Sequence, residues 1–340
     1  MSGLIQTSRI DTRDIDELNY SVDPWQLCMR QMTPGQLRAS FDVLRINGIL
    51  LTREHWSQRV IAKGATPEGY LALAGPSMEK NLFWCGQEIK PGCLCYGFDA
   101  TEIDFQTPIN EDHWVILVPQ DLLLRYLGEE TTANVLRRQQ RVIHTERRLT
   151  RRLFLIIDQA IRTFHADDQT HADDILAQTV EAELMETIME ILLGTGTDEC
   201  GGTPRKRFLA CRRAILHAEN LDHPLHVTEL AAAAGASQRV LERGFKEMLG
   251  ISPVRYLRWN RLNGMRRDLR SAQPRKGAVT EIANRWGFHE LGRTAIEYKR
   301  LFSESPSQTL GLKDNPHGMQ LVDALRTTSS TGRDTGSTHR

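Results

Sequence analysis

The stretch "AVTEIANRWGFHELGRTAIEYKRLFSESPSQTL", residues 278–310, is a reworked copy of "HVTELAAAAGASQRVLERGFKEMLGISPVRYL", residues 226–257. Thr228-Glu229-Leu230-Ala231 matches Thr280-Glu281-Ile282-Ala283, and Gly235 matches Gly287, at an offset of 52. After one inserted residue the offset becomes 53, pairing Phe245-Lys246 with Tyr298-Lys299, Leu249 with Phe302, and Ser252-Pro253 with Ser305-Pro306. One helical unit is written twice, and the region must fold as that unit repeated.

Each copy has the physics of a helix-turn-helix. A short helix is expected to open at a Thr N-cap (Thr228, Thr280), with Glu in its first turn to complement the dipole. Ala231, Ala234 and Ala283 let a second helix cross closely, and Gly235 or Gly287 sits where a tight turn needs positive φ. In the first copy the second helix starts at Ser237, with Val240, Leu241, Phe245 and Met248 inward. Gln238, Arg239, Glu242, Arg243 and Lys246 then face out. Arg pairs with guanine N7 and O6, and Glu accepts from cytosine N4, so this face can read sequence. A single loose motif would equally fit a solvated helix face. Two copies at one spacing, in a basic segment, favour double-stranded DNA.

Between the copies, "PVRYLRWNRLNGMRRDLRSA" reads as a helix with Val254, Leu257, Leu262, Met265 and Leu269 inward. Arg255, Arg258, Arg261, Arg266, Arg267 and Arg270 are mostly outward on that pattern. A rigid connector of this kind lets two reading helices enter successive major grooves about 34 Å apart.

The net charge of zero hides an asymmetry. Residues 203–311 carry 20 Lys/Arg against 10 Asp/Glu, about +10, which leaves the rest of the chain at about −10. A basic module joined to an acidic one suits a DNA-binding domain with a separate control domain. The six cysteines follow no disulfide framework. With no apolar leader and no run of eighteen apolar residues, a cytoplasmic chain without a membrane span is expected.

Residues 1 to about 120 read as short strands broken at Gly, Pro and Asn, implying a small antiparallel barrel or sandwich. From Asp121 the apolar period lengthens to that of amphipathic helices. Val180, Leu184, Ile188, Ile191 and Leu192 form a stripe that needs a partner, either the preceding helix or a second chain in a homodimer. The expected organisation is a sensor and dimerisation domain at 1–193, a Gly-rich linker at 194–206, a DNA-binding domain at 207–311 and a disordered polar tail at 312–340.

"LAAAAGASQRVLERGFKEMLGISPVRYLRWNRLNGMRRDL" and "EIANRWGFHELGRTAIEYKRLFSESPSQTL" resemble the tandem helix-turn-helix domain of the AraC/XylS family of transcription regulators, over about 100 residues. Within the family, "QMTPGQLRASF", "RLNGMRRDL" and "WGFHELGR" are most similar to the ethanolamine-operon regulator subgroup. The resemblance implies an α+β fold: an N-terminal cupin-like β-barrel with attached helices, then an all-α DNA-binding domain. It also implies an activator that recruits RNA polymerase. Arg239, Glu242 and Arg243 fall where the family's first reading helix touches bases, and Gly292, Arg293 and Ile296 fall in the second. Thr294 stands where the family commonly has a large apolar residue, and Ile296 where Arg is frequent. The second motif is therefore expected to be looser, with Arg293, Lys299 and Arg300 serving mainly phosphate. By analogy with large-to-small core changes, Thr at that position costs about 3 kcal/mol.

The sensor signals are weaker. Trp56, Trp84, Phe105 and Trp114 are the aromatics expected to line or cap the barrel, with Asp104, Glu102 or Arg53 as partners for a charged ligand. Purely structural roles compete for each of them. The spacing of Cys85, Cys93 and Cys95, even with His113, does not suit zinc, so no metal is expected. No phosphate-cradling Gly loop or nucleophile-elbow motif points to an enzyme. No cofactor is implied beyond a small-molecule effector, which the subgroup resemblance suggests is an amine or amino alcohol. An architectural DNA-binding protein without an effector, and a repressor, stay open as alternatives.

Overall fold

The computed structural model describes residues 5–21, 25–76, 82–90, 92–137, 141–166, 173–194, 205–219 and 225–311. Most of the anticipated linker and the whole anticipated tail lie outside the described residues.

The first part of the chain runs β1 (Ile5–Thr12), α1 (Ile15–Ser21), β2 (Gln26–Gln31), β3 (Ala39–Ile46), β4 (Ile49–Trp56), β5 (Val60–Ala65), β6 (Tyr70–Pro76), β7 (Leu82–Trp84), β8 (Gln87–Ile89), β9 (Cys93–Phe98), β10 (Glu102–Gln106) and β11 (Glu111–Pro119). Then follow α2 (Gln120–Leu127), α3 (Glu129–Leu136), β12 (Val142–His144), α4 (Arg147–Ala166) and α5 (Asp173–Leu193). The strands pair antiparallel into a seven-stranded sheet, β1-β3-β4-β11-β6-β9-β12, and a five-stranded sheet, β2-β5-β10-β7-β8. The cupin-like expectation fits, with one refinement: the two sheets face each other and are not closed into a single ring. Turn chemistry fixes the register. Asn47 and Gly48 both take positive φ between β3 and β4, as a two-residue hairpin loop requires.

Alternation along each strand divides two cores. Leu50, Val115 and Leu117 point between the sheets, whereas Leu51, Trp114 and Ile116 point away, into a second core capped by the helices that follow. The Val180, Leu184, Ile188, Ile191 and Leu192 stripe is buried there, so its partner is α4 and the sheet of the same chain.

The second part is wholly helical: α6 (Lys206–Glu219), α7 (Val227–Ala234), α8 (Gln238–Leu249), α9 (Pro253–Ser271), α10 (Ala278–Arg285), α11 (Leu291–Phe302) and α12 (Pro306–Gly311). Its two clusters match the two copies. One joins α6, α7, α8 and the start of α9, and the other joins the end of α9 with α10, α11 and α12. Two of the assigned inward positions are overturned. Val240 is 38% exposed and Val254 63% exposed: each falls in the first turn of its helix, on the side turned away from the buried stripe.

Candidate nucleic-acid interface

The first motif closes around its turn. Gly235 is left-handed (φ 60°, ψ 41°), and its N–H bonds back to the Ala231 and Ala232 carbonyls. Ser237 caps α8, its hydroxyl accepting from the Val240 N–H at 3.3 Å. The cap of α7 is His226, not Thr228: the Glu229 carboxylate accepts from the His226 N–H at 2.7 Å in a capping box. α10 likewise starts after a left-handed Gly277, placing Thr280 inside the helix. The glutamates fall in their first turns as expected. Both Ser-Pro pairs open the next helix. Ser252 caps α9, and Ser305 and Gln308 bond reciprocally at the start of α12.

α8 buries Leu241, Phe245, Met248 and Leu249, and presses Gly244 onto α6 so closely that a Cβ would lie 2.3 Å from Cys211 Sγ. Its opposite face exposes Ser237, Gln238, Arg239, Arg243 and Lys246, with Glu242 half-buried beside them. Arg243 donates to Glu247 at 3.0 Å, and Lys246 lies 3.5 Å from Glu242. Arg239 enters no ion pair among the described residues. In α11 the exposed face carries Gly292, Arg293, Ile296, Lys299 and Arg300, with Ile296 72% exposed. Such an apolar side chain suits a thymine methyl rather than a phosphate. Arg293 leans on Glu297 at 3.4 Å, whereas Lys299 and Arg300 make no ion pair among the described residues. Thr294 is 3% exposed, and Tyr298 donates to or accepts from Thr309 at 2.8 Å nearby.

α9 spans about 28 Å at 1.5 Å per residue and holds both motifs. Trp286 lies so flat on Gly264 that a Cβ there would fall 2.1 Å from its ring. The assignment of Arg266 to an outward face is wrong. It is 4% exposed, with ion pairs to Asp14 at 2.6 Å, to Asp16 at 2.9 Å and to Glu304. Because α9 faces the β-domain on one side, this arginine ties the two domains together.

Other ties, none signalled by the sequence pattern, surround it. The Asn263 side chain accepts from the Gln31 N–H and donates to the Gln31 carbonyl, both at 3.0 Å. The Gln31 side chain donates to the Leu301 carbonyl at 2.8 Å, Arg30 pairs with Glu219, and Arg212 donates to Asp104 at 2.5 Å. Burial outweighs the attraction of these arginines for the carboxylates. It raises Asp104 and Glu219, and pushes Asp16 up to about 6 against the pull of Arg266.

Of the expected effector residues, the structure brings two together. Trp84 and Phe105 stack at 6.0 Å on one wall of a cavity between the sheets, with Trp25 beside them and Glu54 and His113 at its polar end. Trp114 points the other way, into the helix-capped core. Trp56 stays between the sheets behind the cavity, donating to Glu54 at 3.2 Å and stacking on His113. Asp104 and Arg53 are engaged elsewhere, Asp104 with Arg212 and Arg53 with Asp42 and Asp158, and Glu102 is exposed. Among the described residues no cluster of His, Cys, Asp or Glu is arranged to hold a metal ion. No helix among them is long and apolar enough to cross a membrane.

Residues 230–311 match the helix-turn-helix domain family. A probable thc operon regulatory protein of Rhodococcus erythropolis is 47% identical over 100 residues, 29% of this chain and 30% of that protein. The XylDLEGF operon transcriptional activator 2 of Pseudomonas putida is 33% identical over 112 residues, 33% of this chain and 69% of that protein. This chain belongs to the AraC/XylS family of transcription regulators. The crystal structure of the AraC-like transcriptional activator CuxR overlays at a TM-score of 0.41 and 14% identity, covering 75% of this chain and 94% of that one. As an AraC/XylS-family member the chain is a DNA-binding transcription regulator and not an enzyme. The match to the Rhodococcus protein takes in less than a third of that relative's length.

Proposed function

We propose that this AraC/XylS-family regulator activates a catabolic operon from promoter DNA in the cytoplasm, meeting RNA polymerase there, and that a small molecule bound between its β-sheets gates it. One observation carries the gating. β7 and β10 present Trp84 and Phe105 to the cavity, while their neighbours Phe83 and Asp104 grip α6 of the DNA-binding domain, through Phe208 at 5.1 Å and Arg212. The Cys85-Gly86 turn after β7 also rests on α6, where a Cβ on Gly86 would sit 3.1 Å from Arg212 Cδ. A ligand that shifts these short strands therefore shifts the first helix of the DNA-binding domain. Two chains acting together would meet through the exposed Leu155, Ile175, Leu176 and Leu193 of α4 and α5.

The test is footprinting of the full chain on DNA flanking its own gene, with and without candidate metabolites. The subgroup resemblance puts amines and amino alcohols among the first to try. Protection of about two helical turns beside an enzyme operon, tightened by one metabolite, is the expected result. Diffuse, salt-sensitive binding that ignores every metabolite points to an architectural protein. A site overlapping the polymerase's own points to a repressor.

A further inference from the structure

The inter-sheet cavity has a free volume of about 50 Å³ and nearly all-apolar walls, yet two of its lining side chains carry buried ring nitrogens without a hydrogen-bond partner: His113 Nδ1 and Trp84 Nε1. Each unmade bond of this kind leaves the desolvation cost of its buried group uncompensated. Trp84 Nε1 is a donor and nothing else. His113 is held at its other nitrogen by Glu54, 2.8 Å from Nε2. Burial disfavours its charged form, but Glu54, with Glu111 and Asp112, overrides this and raises its pKa. With Nε2 given to Glu54, Nδ1 accepts when the ring is neutral and donates when it is charged.

We propose that this cavity takes a small neutral molecule of a few heavy atoms, presenting a carbonyl or hydroxyl oxygen to the Trp84 N–H, with His113 Nδ1 as a second polar contact, and a short apolar body to Trp25, Trp84 and Phe105. The proposal rests on the effector-gated reading and names the ligand's chemistry. The lining residues include no Lys or Arg to neutralise a carboxylate, and the His113 charge is already matched by Glu54. An ammonium group needs acceptors, and of the two lining carboxylates Glu54 is taken up by His113 and Trp56, which leaves Glu111 as the group a charged amine would have to compete for. Of the amine and amino alcohol suggested by resemblance, the hydroxyl is the group that the Trp84 N–H can meet.

The experiment follows the indole N–H signals of the full-length ¹⁵N-labelled chain during titration with propan-1-ol, propanone and propanamide, and with propylammonium and propanoate as charged counterparts. Trp84→Phe assigns the Trp84 signal, and operator affinity is measured in parallel. The neutral probes are expected to move the Trp84 signal saturably, and Trp84→Phe to weaken their binding about tenfold. The unvaried protein gives the shift by itself, so the reading survives a variant that does not fold. Binding of only the charged probes, or a Trp84 signal that no probe moves because an ordered water already satisfies it, overturns the proposal. Neutral probes that bind without changing operator affinity support the cavity chemistry and sink the gating. A charged metabolite that changes operator affinity without moving the Trp84 signal leaves the gating standing and sinks the cavity chemistry.

Discussion

Arg266 shows how far one side chain can depart from its sequence pattern. Helical spacing places it with five other arginines on an outward stripe, and for a free helix that is right. What the pattern lacks is knowledge of a second domain, whose Asp14 and Asp16 reach α9 from some 250 residues earlier in the chain. Replacing Arg266 with Ala leaves buried carboxylates without their counter-charge and is expected to cost about 3–5 kcal/mol, read as a lowered Tm. The effect of Arg266→Met should be smaller if part of that loss is packing against Phe302, over whose ring the guanidinium sits. The reading faces behave oppositely. In α8 spacing assigned Gln238, Arg239, Arg243 and Lys246 outward and all four are exposed, with Glu242 half-buried and Val240 the exception, because the helical period decides the exposed face where no second domain intervenes. Arg243→Ala should cost about 1–3 kcal/mol on the operator and relax one base position, and Arg300→Ala should weaken all sequences alike. Competition binding against random DNA separates the two, and equal losses on both would refute the division.

At the scale of elements, the helix-turn-helix units were legible because their signals are local: alternating burial, a left-handed glycine, a Ser cap and a Ser-Pro start. The caps of α7 and α10 were misplaced because Thr, His and Gly all serve at N-caps and only backbone geometry decides among them. The cavity was half legible. Aromatic residues in short strands suggested it, but a one-residue change of phase sends Trp114 to one face of β11 and His113 to the other. Gly264 offers a test of how the second motif is braced. Gly264→Ala sets a methyl into the Trp286 ring and is expected to cost about 1–3 kcal/mol, seen as a changed Trp286 emission and a lower Tm. Protection of the operator half read by α11 should shorten while the α8 half stays protected.

Across the whole molecule the joint between the domains is acid-rich and buried, which gives it a pH dependence. Asp16 rises from 3.8 to about 6, and Asp104 and Glu219 rise too, so the folded chain binds more protons than the unfolded one in that window. Stability then falls as pH rises through it. His113 acts in the same sense: its contribution is complete below the ordinary value of 6.5 and is lost as pH climbs through its raised folded value. Thermal unfolding is expected to give a higher Tm at about pH 5 than at about pH 7, and Asp16→Asn should flatten that slope. A flat profile in the parent protein would mean that the interdomain carboxylates are solvated.

Residues 263–266 sit at the meeting point of everything described. Asn263 holds the β-domain backbone, Gly264 seats Trp286, Met265 fills the second core, and Arg266 gathers the carboxylates. The reading faces of α8 and α11 carry none of these duties. A regulator built this way could be re-aimed at a new operator by changing a handful of surface residues while the joint between its domains stays intact, and the same four positions are where a single change would loosen that joint.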